Sequence, residues 1–308
     1  MNYRHAFHAG NACDVVKHAA FSLVLKTLTS KGGPLTVLDT HAGAGIYDLQ
    51  DAEALKTGES QQGIARLWKG LQKEMETESL PSSSPLTSPL DLLAPYQTVL
   101  ARLNPEGNTL RFYPGSPLVA REILRPAQEG TSADRLVACE LHSETFSTLQ
   151  NLFRRLPVAP GPEVQLHRRD GYEALKALMP KPGERGLVLI DPPYEEEGEW
   201  DRLTTAVRDI GRRWPGGRAM IWYPLKDRST IWRWHESLRA EGVPGLLAAE
   251  CRLEEDARSD RLAGTGLVFV NPPWRLEETL VQLFPLLQRL LDAPCPGTSL
   301  TWITPSRD

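Results

Sequence analysis

Asp191-Pro192-Pro193-Tyr194 closes an apolar run, Leu187-Val188-Leu189-Ile190, and carries the most specific chemistry in the chain. Two consecutive prolines fix the backbone and have no amide hydrogen, so nearby carbonyls can face a ligand unopposed. A carboxylate beside such a carbonyl can accept both hydrogens of an exocyclic amine. That favours a pyramidal nitrogen and stabilises the positive charge that grows as the amine is alkylated. Methyl transfer to an amine such as the 6-amino group of adenine suits this pattern. Asp191 is the catalytic candidate, with Pro192 and Tyr194 as substrate-binding candidates. Tyr194 can stack on a base, which must be splayed out of its helix to be reached. Asn271-Pro272-Pro273-Trp274 repeats the pattern. Asn271 lacks a full charge, and its strand is expected further from the sheet centre. It is read as a structural turn or an RNA-facing platform.

A second constellation is Asp39-Thr40-His41-Ala42-Gly43-Ala44-Gly45, an acid at a strand end followed by a glycine turn. Glycine lets backbone approach a ligand closely, and open α/β sheets bind ligands at the carboxyl ends of their strands. Asp48 stands where the dinucleotide fingerprint needs a third glycine. The D-x-x-x-G-x-G spacing is instead that of S-adenosylmethionine (SAM) sites. Glu140 ends the next apolar run and can accept the two hydroxyls of a ribose through charge-assisted hydrogen bonds. Asp170-Gly171 follows the run after that and suits the edge of an adenine. A single such acid is more often a helix N-cap. Three at successive strand ends point to one bound cofactor.

These residues need a sheet to hold them. Apolar runs at 36–39, 136–140, 164–167, 186–191, 218–223, 246–253, 266–271 and 299–303 alternate with helical spacings at 143–156, 172–178, 200–214, 231–240 and 276–291. Continuously apolar runs predict strands buried on both faces of a parallel sheet, with helices on either side. Between the first two runs the gap far exceeds the roughly 30 residues of a βαβ unit. Helical patterns at 63–73 and 90–103 lie in it, separated by a Ser/Pro tract, Glu78 to Pro89, expected to be mobile. The predicted organisation is a core formed by 1–45 and 116–308, with 46–115 as a small helical insertion.

The 308 residues carry a formal net charge of −4, too acidic to hold nucleic acid by bulk charge, so a partner of that kind needs a local patch. Arginines at 168, 169, 212, 213, 258 and 261 could meet phosphates, although solvation is their default role. The four cysteines are widely spaced, and His5 and His8 lack a completing ligand pattern, so neither disulfides nor a metal site is expected. No apolar stretch reaches membrane-spanning length, and no cleavage site follows the Ala19–Leu25 run. A reduced, soluble, cytoplasmic protein with a polar, RNA-facing amino terminus is expected.

With these motifs in place, the chain resembles the RlmJ family of bacterial 23S rRNA adenine-N(6) methyltransferases. The likeness rests on Tyr3–Asn11 with Asp14, Val15, Lys17 and His18, on Leu38–Tyr47, Thr57-Gly58-Glu59, Gly63–Arg66, Tyr113–Pro117, Leu189–Glu195 and Asn271–Trp274. The resemblance implies a class I methyltransferase, a Rossmann-like α/β sheet with helices on both faces and a small helical insertion. It implies SAM as methyl donor, held by His18, His41, Ser116, Glu140, Asp170, Gly171 and Asp191, without a metal. It further implies an adenine pocket shaped by Tyr3, His5 and Lys17. The implied substrate is one adenine of 23S rRNA, free or in early assembly, met by a monomer with no membrane and no obligate protein partner. The Ser/Pro tract is longer than that family leads one to expect. A DNA adenine or protein glutamine amide methyltransferase fits the same amine chemistry. An NAD-dependent oxidoreductase would share the sheet and glycine turn, and a non-catalytic RNA-binding module would not need the three acids.

Overall fold

A computed structural model describes residues 4–78, 89–107, 110–157, 160–255 and 262–306. Tyr3, Ser79 to Ser88 of the Ser/Pro tract, Arg258 and Arg261 lie outside the described residues. In chain order the elements are α1 (Ala12–Thr29), β1 (Thr36–Asp39), β2 (Ile46–Asp48), α2 (Ala52–Thr57), α3 (Glu59–Gln62), α4 (Ile64–Glu78), α5 (Ala94–Leu103), β3 (Phe112–Pro114), α6 (Ser116–Ile123), β4 (Arg135–Cys139), α7 (Ser143–Arg155) and β5 (Glu163–His167). They continue as α8 (Gly171–Leu178), β6 (Gly186–Ile190), α9 (Glu199–Arg213), β7 (Ala219–Pro224), α10 (Arg228–Ala240), β8 (Leu246–Arg252), β9 (Gly264–Val270), α11 (Leu276–Leu290) and β10 (Gly297–Thr304).

Eight strands form one sheet in the order β10-β8-β9-β7-β6-β1-β4-β5. The five from β7 to β5 are parallel, whereas β9 runs antiparallel between β7 and β8, and β10 antiparallel on β8. The sheet is therefore mixed, not all-parallel. Burial on both faces makes a strand continuously apolar in either direction, so its composition is silent about its sense. Successive side chains go to opposite faces. Val37, Leu187 and Leu189 join a cluster with α1, α5, α6 and α11, while Leu38, Val188 and Ile190 join one with α8, α9 and α10. Each such fully buried aliphatic side chain contributes about 1.5–3 kcal/mol.

α1 follows the segment 4–8, in which Arg4 is exposed and residues 5–8 are partly exposed. The helix is buried along nearly its whole length, against α5, α6, α11 and β9, and the Ala19–Leu25 run is its middle. Asn11 caps it, its side-chain carbonyl accepting the Asp14 N–H at 2.8 Å. Between β1 and β4, the two-stranded sheet of β2 and β3 pairs Ile46 with Pro114, closing the intervening segment at its base. α4 and α5 within that segment pack on α11 and α1 and share their apolar cluster.

β1 is the point where strand order reverses: β4 and β6 flank it, and each is reached by a separate connection. Crevices of this kind, outside the carboxyl ends of the strands, are where such sheets bind ligands. Asp39 ends β1, Glu140 follows β4 and Asp191 follows β6, so all three acids meet at this crevice.

Candidate active site

At the β1 end, Asp39 is fully buried. It accepts the Ser116 hydroxyl at 2.7 Å and the His41 N–H at 3.2 Å. The glycine turn follows, with Gly43 at φ 63° and Gly45 at φ 81°, the left-handed region that a side chain would strain. The Gly43 N–H donates to one Glu140 oxygen at 3.0 Å, and the His142 N–H to the other at 2.7 Å. Burial raises the Glu140 pKa against these donors. Asp170 caps α8, accepting the N–H groups of Tyr172 and Glu173 at 2.9 and 3.0 Å. Gly171 lies so close to β1 that an added Cβ would stand 2.3 Å from the Thr40 carbonyl oxygen. His41 contacts the Thr40 hydroxyl at 2.7 Å and meets Tyr172 edge-on, and burial lowers its pKa to about 4. It is a neutral imidazole.

Asp191 faces a second cluster, supplied by the amino-terminal segment. The Lys17 ammonium lies 2.5 Å from Asp191 Oδ2 and 2.7 Å from Asp14 Oδ1, and Asp14 Oδ2 is 2.9 Å from His5 Nε2. Lys17 and Asp14 are 3% and 4% exposed, which makes this a desolvated charge system. Burial works to discharge the lysine, yet Asp14 and Asp191 outweigh it and hold its pKa above the ordinary value. Burial likewise pushes Asp14 up, but His5 and Lys17 hold it well below the usual carboxylate range. His18, the next residue of α1, is buried, its Nδ1 at 2.8 Å from the Tyr113 hydroxyl. Burial, followed by the nearby Lys17, lowers its pKa to about 3, so it too is neutral.

Tyr194 sits at φ 55°, an uncommon conformation for a bulky residue and one that collects at functional sites. Its hydroxyl donates to the Trp222 carbonyl at 2.7 Å, and its ring packs against Trp200 and Trp222, centroids 5.0 and 5.6 Å away. The ring orientation is thus fixed from two sides.

The structure brings Asp191, Lys17 and His5 into one chain of contacts, and Asp39, Ser116, His41, Glu140, Asp170 and Gly171 around the crevice. His18 is bonded to Tyr113 behind them, Pro192 is buried, and Asn271 lies at the opposite edge of the sheet. Sequence reasoning assigned no role to Asp14, Tyr47 or Trp222. Asp14 and Lys17 are opposite charges at i and i+3 of a helix, a spacing that was readable. Tyr47, whose hydroxyl accepts the Ala44 N–H at 3.2 Å, and Trp222 gave no local signal.

The donor set fits SAM, whose sulfonium and ammonium make it a cationic ligand. Glycine backbone, the carboxylates Glu140 and Asp170 and the acid Asp191 surround the crevice, and Lys17 is the cation already bound there. Strand order, the reversal at β1 and this acidic crevice define a class I SAM-dependent methyltransferase. A family model described as "Ribosomal RNA large subunit methyltransferase D, RlmJ" matches residues 32–304. The chain belongs to that family. The "Ribosomal RNA large subunit methyltransferase J" of Escherichia coli (strain K12) is 35% identical over 306 residues, 99% of each chain. The protein of the same name from Haemophilus influenzae is also 35% identical over 306 residues. A solved structure of a Legionella pneumophila protein superposes with a TM-score of 0.79 at 30% identity, covering 96% of this chain and 98% of that one.

Proposed function

We propose that this chain methylates the exocyclic 6-amino group of a single adenine in 23S rRNA, acting in the cytoplasm on free or early-assembly RNA. The observation that carries the reading is Asp191 beside the switch-point strand, with Oδ2 taken by Lys17 and, among the described residues, no hydrogen bond on Oδ1. SAM, when bound, supplies the methyl group on a positively charged sulfur that invites attack. Glu140 would receive its ribose hydroxyls and Asp170-Gly171 its adenine edge, with His18, His41, Ser116 and Asp191 completing the enclosure.

The adenine nitrogen is a poor nucleophile because its lone pair is shared with the ring. Asp191 Oδ1 and the Pro192 carbonyl accept its two hydrogens, localise the lone pair and stabilise the charge that develops. Transfer is direct and in line, with no covalent enzyme intermediate, so the gain comes from positioning and charge. The methylated amine sheds its extra proton to Asp191 or directly to water. Tyr194 stacks on the splayed base, and Tyr3, His5 and Lys17 shape its pocket. Residues 46–115 belong to the same proposal as a helical insertion within the core formed by 1–45 and 116–308, a division supported by the β2–β3 pairing at its base.

Incubation with SAM and deproteinised 23S rRNA, followed by nucleoside mass spectrometry, is expected to yield N(6)-methyladenosine. The Asp191→Ala variant is expected to lose at least about a hundredfold in turnover while keeping its fold, the scale of removing one charge-stabilising group. Near-normal turnover in that variant would sink the assignment. No product from the wild type, despite SAM binding, would return the substrate to DNA or protein.

A further inference from the structure

The Lys17 ammonium must arrive at Asp191 on a four-carbon stem with many rotamers. In the fold it has one position, and Asp14 is the reason. One Asp14 oxygen takes Lys17 at 2.7 Å, and the other takes His5 Nε2 at 2.9 Å and the Gly10 N–H at 3.1 Å. Its own N–H is tied to Asn11, whose side chain donates to Glu59 Oε2 at 3.0 Å, and Glu59 Oε1 lies 2.9 Å from His8 Nδ1. Among the described residues, each bond of Asp14 is directed at fixing a neighbour. None of its described partners is the crevice itself.

From this geometry we infer that Asp14 is a positioning residue for methyl transfer that acts through Lys17: it clamps the ammonium against Asp191 Oδ2, so that Asp191 presents Oδ1 to the target amine. The inference deepens the proposed function and rests on it. A carboxylate with both oxygens free can rotate and accept the amine in several geometries; one pinned by a buried ammonium cannot. Holding that geometry before the base arrives spares the transition state the cost of ordering it. Asp14 is 4% exposed, and its carboxylate contacts Lys17, His5 and the Gly10 N–H. Its effect on the transfer passes through Lys17.

The test compares Asp14→Asn, Lys17→Met and the Lys17→Met, Asp14→Leu double variant, in the full chain with deproteinised 23S rRNA. Asp14→Asn is expected to lower kcat by at least tenfold while the Kd for SAM, by calorimetry, stays within twofold. Lys17→Met is expected to lose more. Adding Asp14→Leu to Lys17→Met is expected to change kcat by less than twofold, because the clamp then has nothing to hold. A merely structural role would lower thermal stability and damage both backgrounds alike. If Asp14→Asn does not fold, the double variant against Lys17→Met still decides, since that pair leaves no unpaired buried ammonium. A further loss of tenfold there, or full kcat in a folded Asp14→Asn, overturns the inference. Wild-type methylation in the same assay keeps that outcome distinct from failure of the proposed function.

Discussion

Asp39 ends β1 where water does not reach, and burial pushes its carboxyl up to about 7 against the hydrogen bonds from Ser116 and His41. In the unfolded chain the same group ionises near 3.8. Its contribution to stability is therefore fully present below the unfolded value and is lost as pH rises towards the folded one. The Asp39→Asn variant keeps the shape, and its amide can meet the Ser116 hydroxyl while its oxygen accepts the His41 N–H. Its Tm relative to wild type is expected to rise between about pH 4 and pH 7 and to level off above that. Thermal melts at three pH values check this, and a difference that does not vary with pH would mean Asp39 is ionised in the fold. Residues such as Asp39, Glu140 and Asp191 were legible because strand ends mark them. Asp14 was visible in the sequence as a neighbour of Lys17, but Asp191, the other partner of that lysine, lies 174 positions away, and no local pattern announces that pairing.

At the scale of elements, the joint between β1 and α8 limits what the crevice tolerates. Thr40 is pinned to Leu189 by its N–H at 3.1 Å and by its hydroxyl at 2.9 Å, so it cannot retreat from Gly171. Gly171→Ala would force α8 away from β1, with the Asp170 cap carried along. The expected cost is about 1–3 kcal/mol, as for other overpacked positions. A Tm lower by several degrees and a weaker Kd for SAM should appear together; if neither moves, Thr40 yields and the joint is looser than its contacts imply. Strands were legible here from their continuously apolar runs and amphipathic helices from their period. α8 and α9 each show one apolar face, and their predicted spans lie close to those observed. α1 was not legible, because a helix covered on nearly all sides has no polar face to give it a period.

Across the whole molecule, strand direction decides which of the two Pro-Pro turns can act. Ile190 is level with Ile221 and Ile221 with Val268, so Asp191 stands beside Trp222 and Leu267 in the sheet. β9 runs the other way, and Asn271 lies four residues beyond Leu267, about 13 Å along the strands and two spacings of about 4.8 Å across them. Sequence order placed Asn271 further out; the antiparallel sense of β9 also turns it to the far edge. There its side chain donates to the Gly216 carbonyl at 2.7 Å and its N–H to the Gly245 carbonyl at 2.8 Å. Its φ of 49° suits asparagine better than most residues. The motif at this end closes a turn, although the Trp274 it carries is exposed beneath Arg275. Asn271→Ala is expected to lose about 1–3 kcal/mol, from one hydrogen bond and a left-handed backbone. Its kcat on 23S rRNA should stay within twofold of wild type, in contrast to Asp191→Ala. Denaturant melts and the methylation assay read the two effects separately. A tenfold fall in kcat in a folded Asn271→Ala variant would place RNA at both edges of the sheet and would require the substrate to span it.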